Sequence, residues 1–557
     1  MKLVVDLTRC QGYGQCAYFA PGVFQMRGNE VLMDNPDPDD DQREGVMRAA
    51  AACPVQAIRV DGIASQDAVA LAPKPGPVSG TAPSLAAAVP AQRTAPGIIA
   101  AAIENFRRSG RIVIVGASLA GMTAAAVMRR DGFTGSITII GDEKYQPYDR
   151  PPLSKGVFEG LIPADHTELP GDVNAQWLLG VPATGLDYAG KQVLLGGGSA
   201  IIEFDRLLIA TGTRARPWPD KAEAALDGVF VLRTRDDAAG LSQRLASRPR
   251  RVLVIGGGFT GSEVASACRD RDIEVTVVER GPAPLVGALG EFIGNVAAGL
   301  QRAHGVDLRC GVTVSALEGD DRGRLRRGHL SDGSVIDADL AVVALGAVRN
   351  TEWLRGSGLA VGKWGVACDA GCRAFDVNGV TTDNVFVAGD VARFPHPLYD
   401  YEFLALEHWG NAVTQAEIAA HNMVSAPGAR WAHLATPVFW SAQFGTNIKS
   451  VGVPTFADEF MVVQGSVPDR RFIAAYGREG RMTGAVAFDQ AMWLEFYQHL
   501  IERAQPFPPE FTAFGQPAGQ PVPVGMPAKE IRDLQATVVL TGHDPGERRA
   551  ELLYHDH

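Results

Sequence analysis

Two glycine-rich turns, each fed by a short apolar run, constrain this chain more than any other feature. Residues 112–115 run into Gly116-Ala-Ser118-Leu119-Ala120-Gly121, and residues 252–255 run into Gly256-Gly-Gly258-Phe259-Thr260-Gly261. A strand that turns on glycine into a helix lets backbone approach a pyrophosphate, and the last glycine lets helix and strand pack closely. The two units lie about 140 residues apart. In each, a further strand ends in acid, at Asp142-Glu143 and at Glu279, where a carboxylate can accept ribose hydroxyls. One such motif is weak. Two in this context predict a duplicated nucleotide-binding α/β architecture. The first turn departs from the pattern at Ser118, which is small and carries a hydroxyl able to bond phosphate.

The rest of the chain has to be fitted around these units. A length of 557 residues suggests three or four domains at roughly 150 residues each. With 46% apolar and 21% charged residues the chain is globular in character. Its net charge of −11 offers no basic face for nucleic acid or an anionic membrane. No apolar run reaches the roughly 18 residues of a membrane span, and the first residues carry Lys2, Asp6 and Arg9 instead of a secretory signal. A cytoplasmic protein is expected. Beyond about residue 425 alternating runs at 459–464, 471–476 and 482–488 predict a further α+β domain.

Seven cysteines are too scattered for a disulfide framework, but three fall in the first 60 residues as Cys10-x5-Cys16 and Cys53-Pro54. Thiolates are soft anionic donors suited to iron. Tyr13 stands where a four-iron pattern has cysteine, so three thiolates suit a 3Fe-4S cluster. A 4Fe-4S cluster with a non-cysteine fourth ligand is the alternative. A closed zinc site wants four ligands, and no C-x2-C pair exists. Short strands are expected at 4–8 and 58–60. Over residues 2–61 the segment resembles the single-cluster ferredoxins that serve bacterial cytochromes P-450, with Cys10, Cys16 and Cys53 as cluster ligands. After it, residues 63–108 are rich in Ala and Pro and predict a semi-extended linker.

Further motifs refine the larger module. Residues 207–212 end in Ala210-Thr211-Gly212, residues 385–390 end in Gly389-Asp390, and Tyr148-Asp-Arg150-Pro-Pro-Leu-Ser-Lys155 lies between. Later come Glu407-His408-Trp409 and Phe439-Trp440-Ser441. Over about residues 110–505 these resemble the flavin-dependent ferredoxin reductases of bacterial monooxygenase and dioxygenase systems, a family that includes apoptosis-inducing factor. The resemblance implies FAD on the first turn and Glu143, with Arg150, Lys155, Ala210, Thr211 and Gly212 lining it. It further implies Asp390 on the ribityl chain, Trp409 and Trp440 near the ring, and Glu407, His408 and Gly346 as further cofactor contacts. Packing in the core is the plainer reading of the tryptophans. The resemblance also pairs Glu263 with Lys155.

A carboxylate at Glu279 accepts the free ribose diol of NADH and repels a 2′-phosphate, whereas Arg280 beside it would suit NADPH. NADH is the favoured donor. Disulfide reductases of this architecture need a cysteine pair beside the flavin, and none occurs near Lys155; Cys368 and Cys372 read as ordinary residues.

The expectation is therefore a multidomain α/β protein: an N-terminal α+β ferredoxin-like domain (1–62), two Rossmann-like dinucleotide-binding domains, and a C-terminal α+β domain (426–505). The FAD-binding domain is expected over 109–230 and 338–425, the NAD-binding domain over 231–337, and the tail 506–557 is not placed. Electrons would pass from NADH to FAD, to the cluster, and to an external oxygenase. A cytochrome P-450 is the expected acceptor, and a Rieske-type ring dioxygenase the alternative. A flavin-containing binding protein like apoptosis-inducing factor is the alternative of another class.

Overall fold

The computed structural model describes residues 96–509, apart from 156, 158–162, 170–172 and 197–199. It also describes five short strands and a few single positions among the first 64 residues, and a hairpin near the end of the chain. Leu3–Val5 pairs antiparallel with Ile58–Val60, which pairs with Ile63–Ala64. The strands expected at 4–8 and 58–60 thus meet over residues 3–5. Cys10, Tyr13, Cys16 and Cys53 lie outside the described residues.

The linker expectation needs correction at both ends. Residues 63 and 64 are already in a strand, and Pro96–Ser109 is an α-helix. Proline is pre-set for the first helical position, and the Ala, Glu and Arg that follow are good helix formers. The helix is anchored: Phe106 lies 5.5 Å from Phe133, the Arg206 guanidinium sits 4.2 Å over the Phe106 ring, and Arg107 Nε donates to the Val424 carbonyl at 2.7 Å. Residues 65–95 lie outside the described residues.

The first dinucleotide unit builds a six-stranded sheet in the order Arg373–Phe375, Thr381–Val387, Arg206–Ile209, Arg111–Val115, Ser136–Gly141, Gln176–Leu179. All neighbours are parallel except the first pair. The second builds a parallel sheet in the order Val229–Val231, Leu340–Val343, Arg251–Ile255, Glu274–Glu279, Asp307–Cys310. Here the expected boundaries shift. Val229, Phe230 and Leu340–Val343 fall within the expected FAD-binding segments, but the strands Val229–Val231 and Leu340–Val343 complete the second sheet. The apolar run 340–343 is buried there against Arg251–Ile255, which needs a partner on that side.

Beyond Val424 an antiparallel sheet runs Val438–Gln443, Thr446–Gly452, Arg481–Phe488, Arg471–Arg478, Glu459–Ser466. One face packs on the helix Leu494–Glu502. On the other, Ile448, Phe472 and Phe488 meet Leu289, Ile293 and Ala297 of the helix Val286–Ala303. The third sheet is thereby seated on the second unit, and its edge strand Val438–Gln443 lies along the helix Phe259–Arg269. In the tail, Gln535–Thr541 pairs antiparallel with Arg549–His555. No helix among the described residues is long and apolar enough to cross a membrane.

Candidate active site

Both glycine turns owe their glycines to their own backbone. Gly116 has φ of +126° and Gly256 +108°, and a Cβ there would overlap the carbonyls of Ala210 and Ala344. A Cβ on Gly121 or Gly261 would overlap the carbonyl oxygen of Gly116 or Gly256. The middle position differs: a Cβ on Gly258 would meet nothing within 4 Å. The fold does not demand glycine there, so Ser118 is accommodated in the first turn. Neither Ser118 nor Gly258 caps the following helix with a side chain. The first-turn amides of Leu119–Arg130 and Phe259–Arg269 are left for an anion, as a dinucleotide pyrophosphate requires.

A cleft of about 460 Å³ opens from the first turn. Gly116, Ser118, Leu119 and Ala120 line one end with Glu143, Arg150, Lys155, Ala210, Thr211 and Gly212. Phe259, Thr260, Glu263, Gly389, Asp390, Glu407, His408, Trp409 and Trp440 line the remainder. Gly121, Gly256, Gly258, Gly261, Glu279, Arg280 and Gly346 are outside this lining. Four of these glycines belong to the two turns and the starts of their helices, Glu279 ends its strand with Arg280 after it, and Gly346 has φ of +80°.

Glu143 is held on both oxygens. Arg150 Nη2 donates to Oε1 at 2.5 Å, and the Tyr148 hydroxyl donates to Oε2 at 2.5 Å. Burial pushes the Tyr148 phenol well above its usual range, which keeps it a donor. Lys155 Nζ meets Glu263 Oε2 at 2.8 Å. Ser154 Oγ donates to the same oxygen at 2.5 Å, and Ser441 Oγ donates to Oε1 at 2.6 Å. Glu263 is only 5% exposed, so its carboxylate is buried but satisfied. Two serines complete a pair that motif reading reduced to Lys155 and Glu263.

Two arginines were not legible in the motifs. Arg233 Nη2 lies 2.8 Å from Asp390 Oδ2, which also accepts from Thr213 Oγ1 at 3.3 Å. Arg349 Nη2 lies 2.8 Å from Glu407 Oε1; burial nevertheless raises the Glu407 carboxyl above its ordinary value. Burial lowers His408 to about 4, so it is a neutral imidazole at neutral pH. Trp409 is 39% exposed, donates to Asp149 Oδ1 at 2.8 Å, and meets Trp440 edge-on at 6.2 Å. The Phe259 and Phe439 rings lie 3.7 Å apart. The tryptophans are thus at the cleft rim and not packed in a core.

Glu279 is engaged by its own turn: Gly257 N donates to Oε2 and Gly281 N to Oε1, both at 2.6 Å. Arg280 is exposed. Cys268, Cys310, Cys368 and Cys372 are free thiols and none lines the cleft. Burial raises all four, Cys268 to about 12. No redox cysteine pair faces the cleft among the described residues.

Comparison with known proteins agrees with this geometry. Residues 110–437 match the pyridine nucleotide-disulphide oxidoreductase family, residues 3–60 a 4Fe-4S single cluster domain, and residues 438–517 the reductase C-terminal domain. The putidaredoxin reductase of Pseudomonas putida is 34% identical over 382 residues, covering 66% of this chain and 85% of the relative. A benzene 1,2-dioxygenase system ferredoxin–NAD(+) reductase subunit, also from Pseudomonas putida, is 31% identical over 416 residues, covering 73% and 95%. The covalent putidaredoxin reductase–putidaredoxin complex superposes with a TM-score of 0.66 at 28% identity, covering 71% of this chain and 94% of the solved one.

Proposed function

The chain belongs to the pyridine nucleotide-disulphide oxidoreductase family, and on that footing we propose that it carries electrons from NADH through FAD to its own iron–sulfur cluster and on to a cytochrome P-450. It is a FAD-dependent ferredoxin reductase of the putidaredoxin reductase and dioxygenase reductase type, with a single-cluster ferredoxin domain ahead of it. Bound FAD would take an electron pair from the nicotinamide and release electrons singly, which a cluster requires.

The chain's own residues bind and orient. The uncapped amides of Leu119–Arg130 and the Ser118 hydroxyl hold the FAD pyrophosphate, while Glu143, fixed by Arg150 and Tyr148, meets the ribose. Asp390, fixed by Arg233, takes the ribityl chain. Lys155 places a cation beside the ring where negative charge develops on reduction, and Glu263 tempers that charge. Trp409, at the rim, closes the ring from solvent. The amides of Phe259–Arg269 hold the second pyrophosphate, and Glu279 takes the free ribose diol of NADH. Cys10, Cys16 and Cys53 hold a 3Fe-4S cluster.

The observation that carries this reading is the Lys155–Glu263 pair, which joins the two nucleotide units across one cleft at 2.8 Å. The test is anaerobic addition of NADH to the isolated protein. Bleaching of a flavin absorption band in wild type, with reduction slowed about a hundredfold in Lys155→Ala, is expected. A wild-type protein that binds no flavin overturns the reading.

The acceptor follows the relatives. The ferredoxin reductase for the CYP199A2 system of Rhodopseudomonas palustris supports a cytochrome P-450. The dioxygenase components favour a Rieske oxygenase. Turnover with each purified acceptor class separates the two.

A further inference from the structure

The Lys155–Glu263 pair has a third member with a support of its own. Ser441 is 2% exposed and donates from Oγ to Glu263 Oε1 at 2.6 Å. Behind it, Gln443 Nε2 donates to Ser441 Oγ at 3.3 Å. A hydroxyl that accepts one bond directs its own hydrogen elsewhere, here onto the carboxylate. The order is Gln443 to Ser441 to Glu263, with Lys155 and Ser154 on the other oxygen. The donors and the carboxylate they meet come from three parts of the fold. Lys155 and Ser154 stand in the first unit, Glu263 on the helix of the second glycine turn, and Ser441 and Gln443 on the edge strand of the third sheet.

That strand and that helix are joined a second time. Phe444 N donates to Ser266 Oγ at 2.6 Å, three residues along the helix from Glu263. Residues three apart share a helix face, so Glu263 and Ser266 form one polar clasp with the third sheet. The same helix begins at Phe259, directly after the turn whose amides receive the nicotinamide dinucleotide. The carboxylate beside Lys155 is therefore set by the docking of the third sheet as much as by the nucleotide unit that bears it.

We propose that Ser441, oriented by Gln443, is a positioning residue that holds Glu263 against Lys155 and so fixes the charge Lys155 presents to the flavin. This rests on the flavin reading above. Without the Ser441 donor, the Glu263 charge is spread over fewer hydrogen bonds and the carboxylate is free to rotate about Lys155, which changes the field at the ring.

The test measures the flavin midpoint potential of the holoprotein by photoreduction, with single-turnover reduction by NADH and a thermal melt alongside. It compares wild type, Ser441→Ala, Glu263→Ala and the double variant. Ser441→Ala should shift the potential and slow reduction about three- to tenfold. In the Glu263→Ala background the same change should do neither. A wild-type potential in folded Ser441→Ala, or equal shifts in both backgrounds, overturns the proposal. Should Glu263→Ala fail to fold, Gln443→Leu probes the chain from behind. It should shift the potential in the same direction, and adding it to Ser441→Ala should change nothing; additive shifts overturn the proposal. A flavin that NADH does not reduce in wild type overturns the proposed function itself, whereas normal wild-type reduction with an unmoved Ser441→Ala potential overturns only this inference.

Discussion

Arg233 Nη2 stands 2.8 Å from Asp390 Oδ2, and the pair crosses from the second nucleotide unit to the first. Their side chains are 28% and 14% exposed, so the attraction is only partly screened. Asp390 sits at the end of the segment proposed to meet the ribityl chain. Arg233→Ala should leave it without its cation and free to rotate. A charged hydrogen bond at this depth is worth about 1.5–3 kcal/mol, so flavin should dissociate at roughly ten- to a hundredfold higher concentration. Flavin titration of the apoprotein measures this. Wild-type affinity in Arg233→Ala would show that the pair serves domain contact alone.

The cluster prediction stands on sequence. With Tyr13 between Cys10 and Cys16, the oxidised protein should contain about three irons per chain and be paramagnetic. Tyr13→Cys supplies a fourth thiolate and should give about four irons and a diamagnetic oxidised state. Iron analysis and EPR of both proteins decide it. About four irons in wild type would mean that a ligand other than cysteine holds the fourth.

Much of the cleft was readable because glycine turns and strand-end acids are local. Gly116 and Gly256 need positive φ, and a single residue type announces it. Lys155 and Glu263 were legible only through a whole motif, since about 108 residues separate them. Arg233 and Arg349 were not legible at all: their partners lie 157 and 58 positions away and no local pattern marks either arginine. The helix Pro96–Ser109 is hidden in the sequence by the Ala- and Pro-rich stretch that runs into it. What decides it is tertiary: Phe106 finds Phe133, and Arg107 finds the end of another helix. The strand Leu340–Val343 joins the second sheet and not the first, which its sequence does not reveal, because an apolar run does not say which sheet it joins.

Glu279 has two duties, and its substitution should show both. Its carboxylate accepts the Gly257 and Gly281 amides at 2.6 Å each, and spare lone pairs are proposed to take the ribose diol. Glu279→Ala should lower kcat/KM for NADH roughly ten- to a hundredfold and lower the melting temperature as the turn loses its acceptor. A basic residue at this position should favour NADPH. If wild type already prefers NADPH, Arg280 is the dominant contact.

Acid should unfold the protein partly through His396, which is fully buried. Its Nε2 bonds the Ala435 carbonyl at 3.2 Å, while Nδ1 accepts from Leu398 N at 3.3 Å. A proton on Nδ1 would face a backbone N–H, and burial holds the imidazole down to about 4 against an ordinary 6.5. The folded value is depressed, so the unfolded chain binds more protons between the two. The stability is present above about pH 6.5 and is lost as pH falls toward 4, up to roughly 3 kcal/mol. His396→Gln keeps a donor and an acceptor but cannot titrate. Its melting temperature should fall less than that of wild type between pH 6.5 and 4. Parallel curves would assign the acid limb to other groups, His408 first.

The tether between the cluster domain and the reductase has a defined attachment. The helix Pro96–Ser109 leads into Arg111–Val115, whose far end carries Gly116 at the cleft. The strand therefore starts at the end of the sheet away from the cleft, about one strand length, or roughly 17 Å, below it, and the tether itself ends 15 residues earlier, at Pro96, a helix length of about 21 Å from that point. Residues 65–95, about 31 in number, would reach roughly 100–110 Å extended, and their composition predicts a coil of about 30 Å between ends. That suffices to pass round the domain to the cleft and gives an effective concentration on the order of millimolar. Cutting within 65–95 should leave NADH reduction of the flavin unchanged. It should slow electron flow to the oxygenase when the fragments are dilute, and excess free ferredoxin fragment should restore it. Steady-state turnover of the severed pair across ferredoxin concentrations measures this. Fragments at micromolar levels that match the intact chain would show that tethering does not drive transfer. Flow that no excess restores would mean the two domains must be held in one docked geometry.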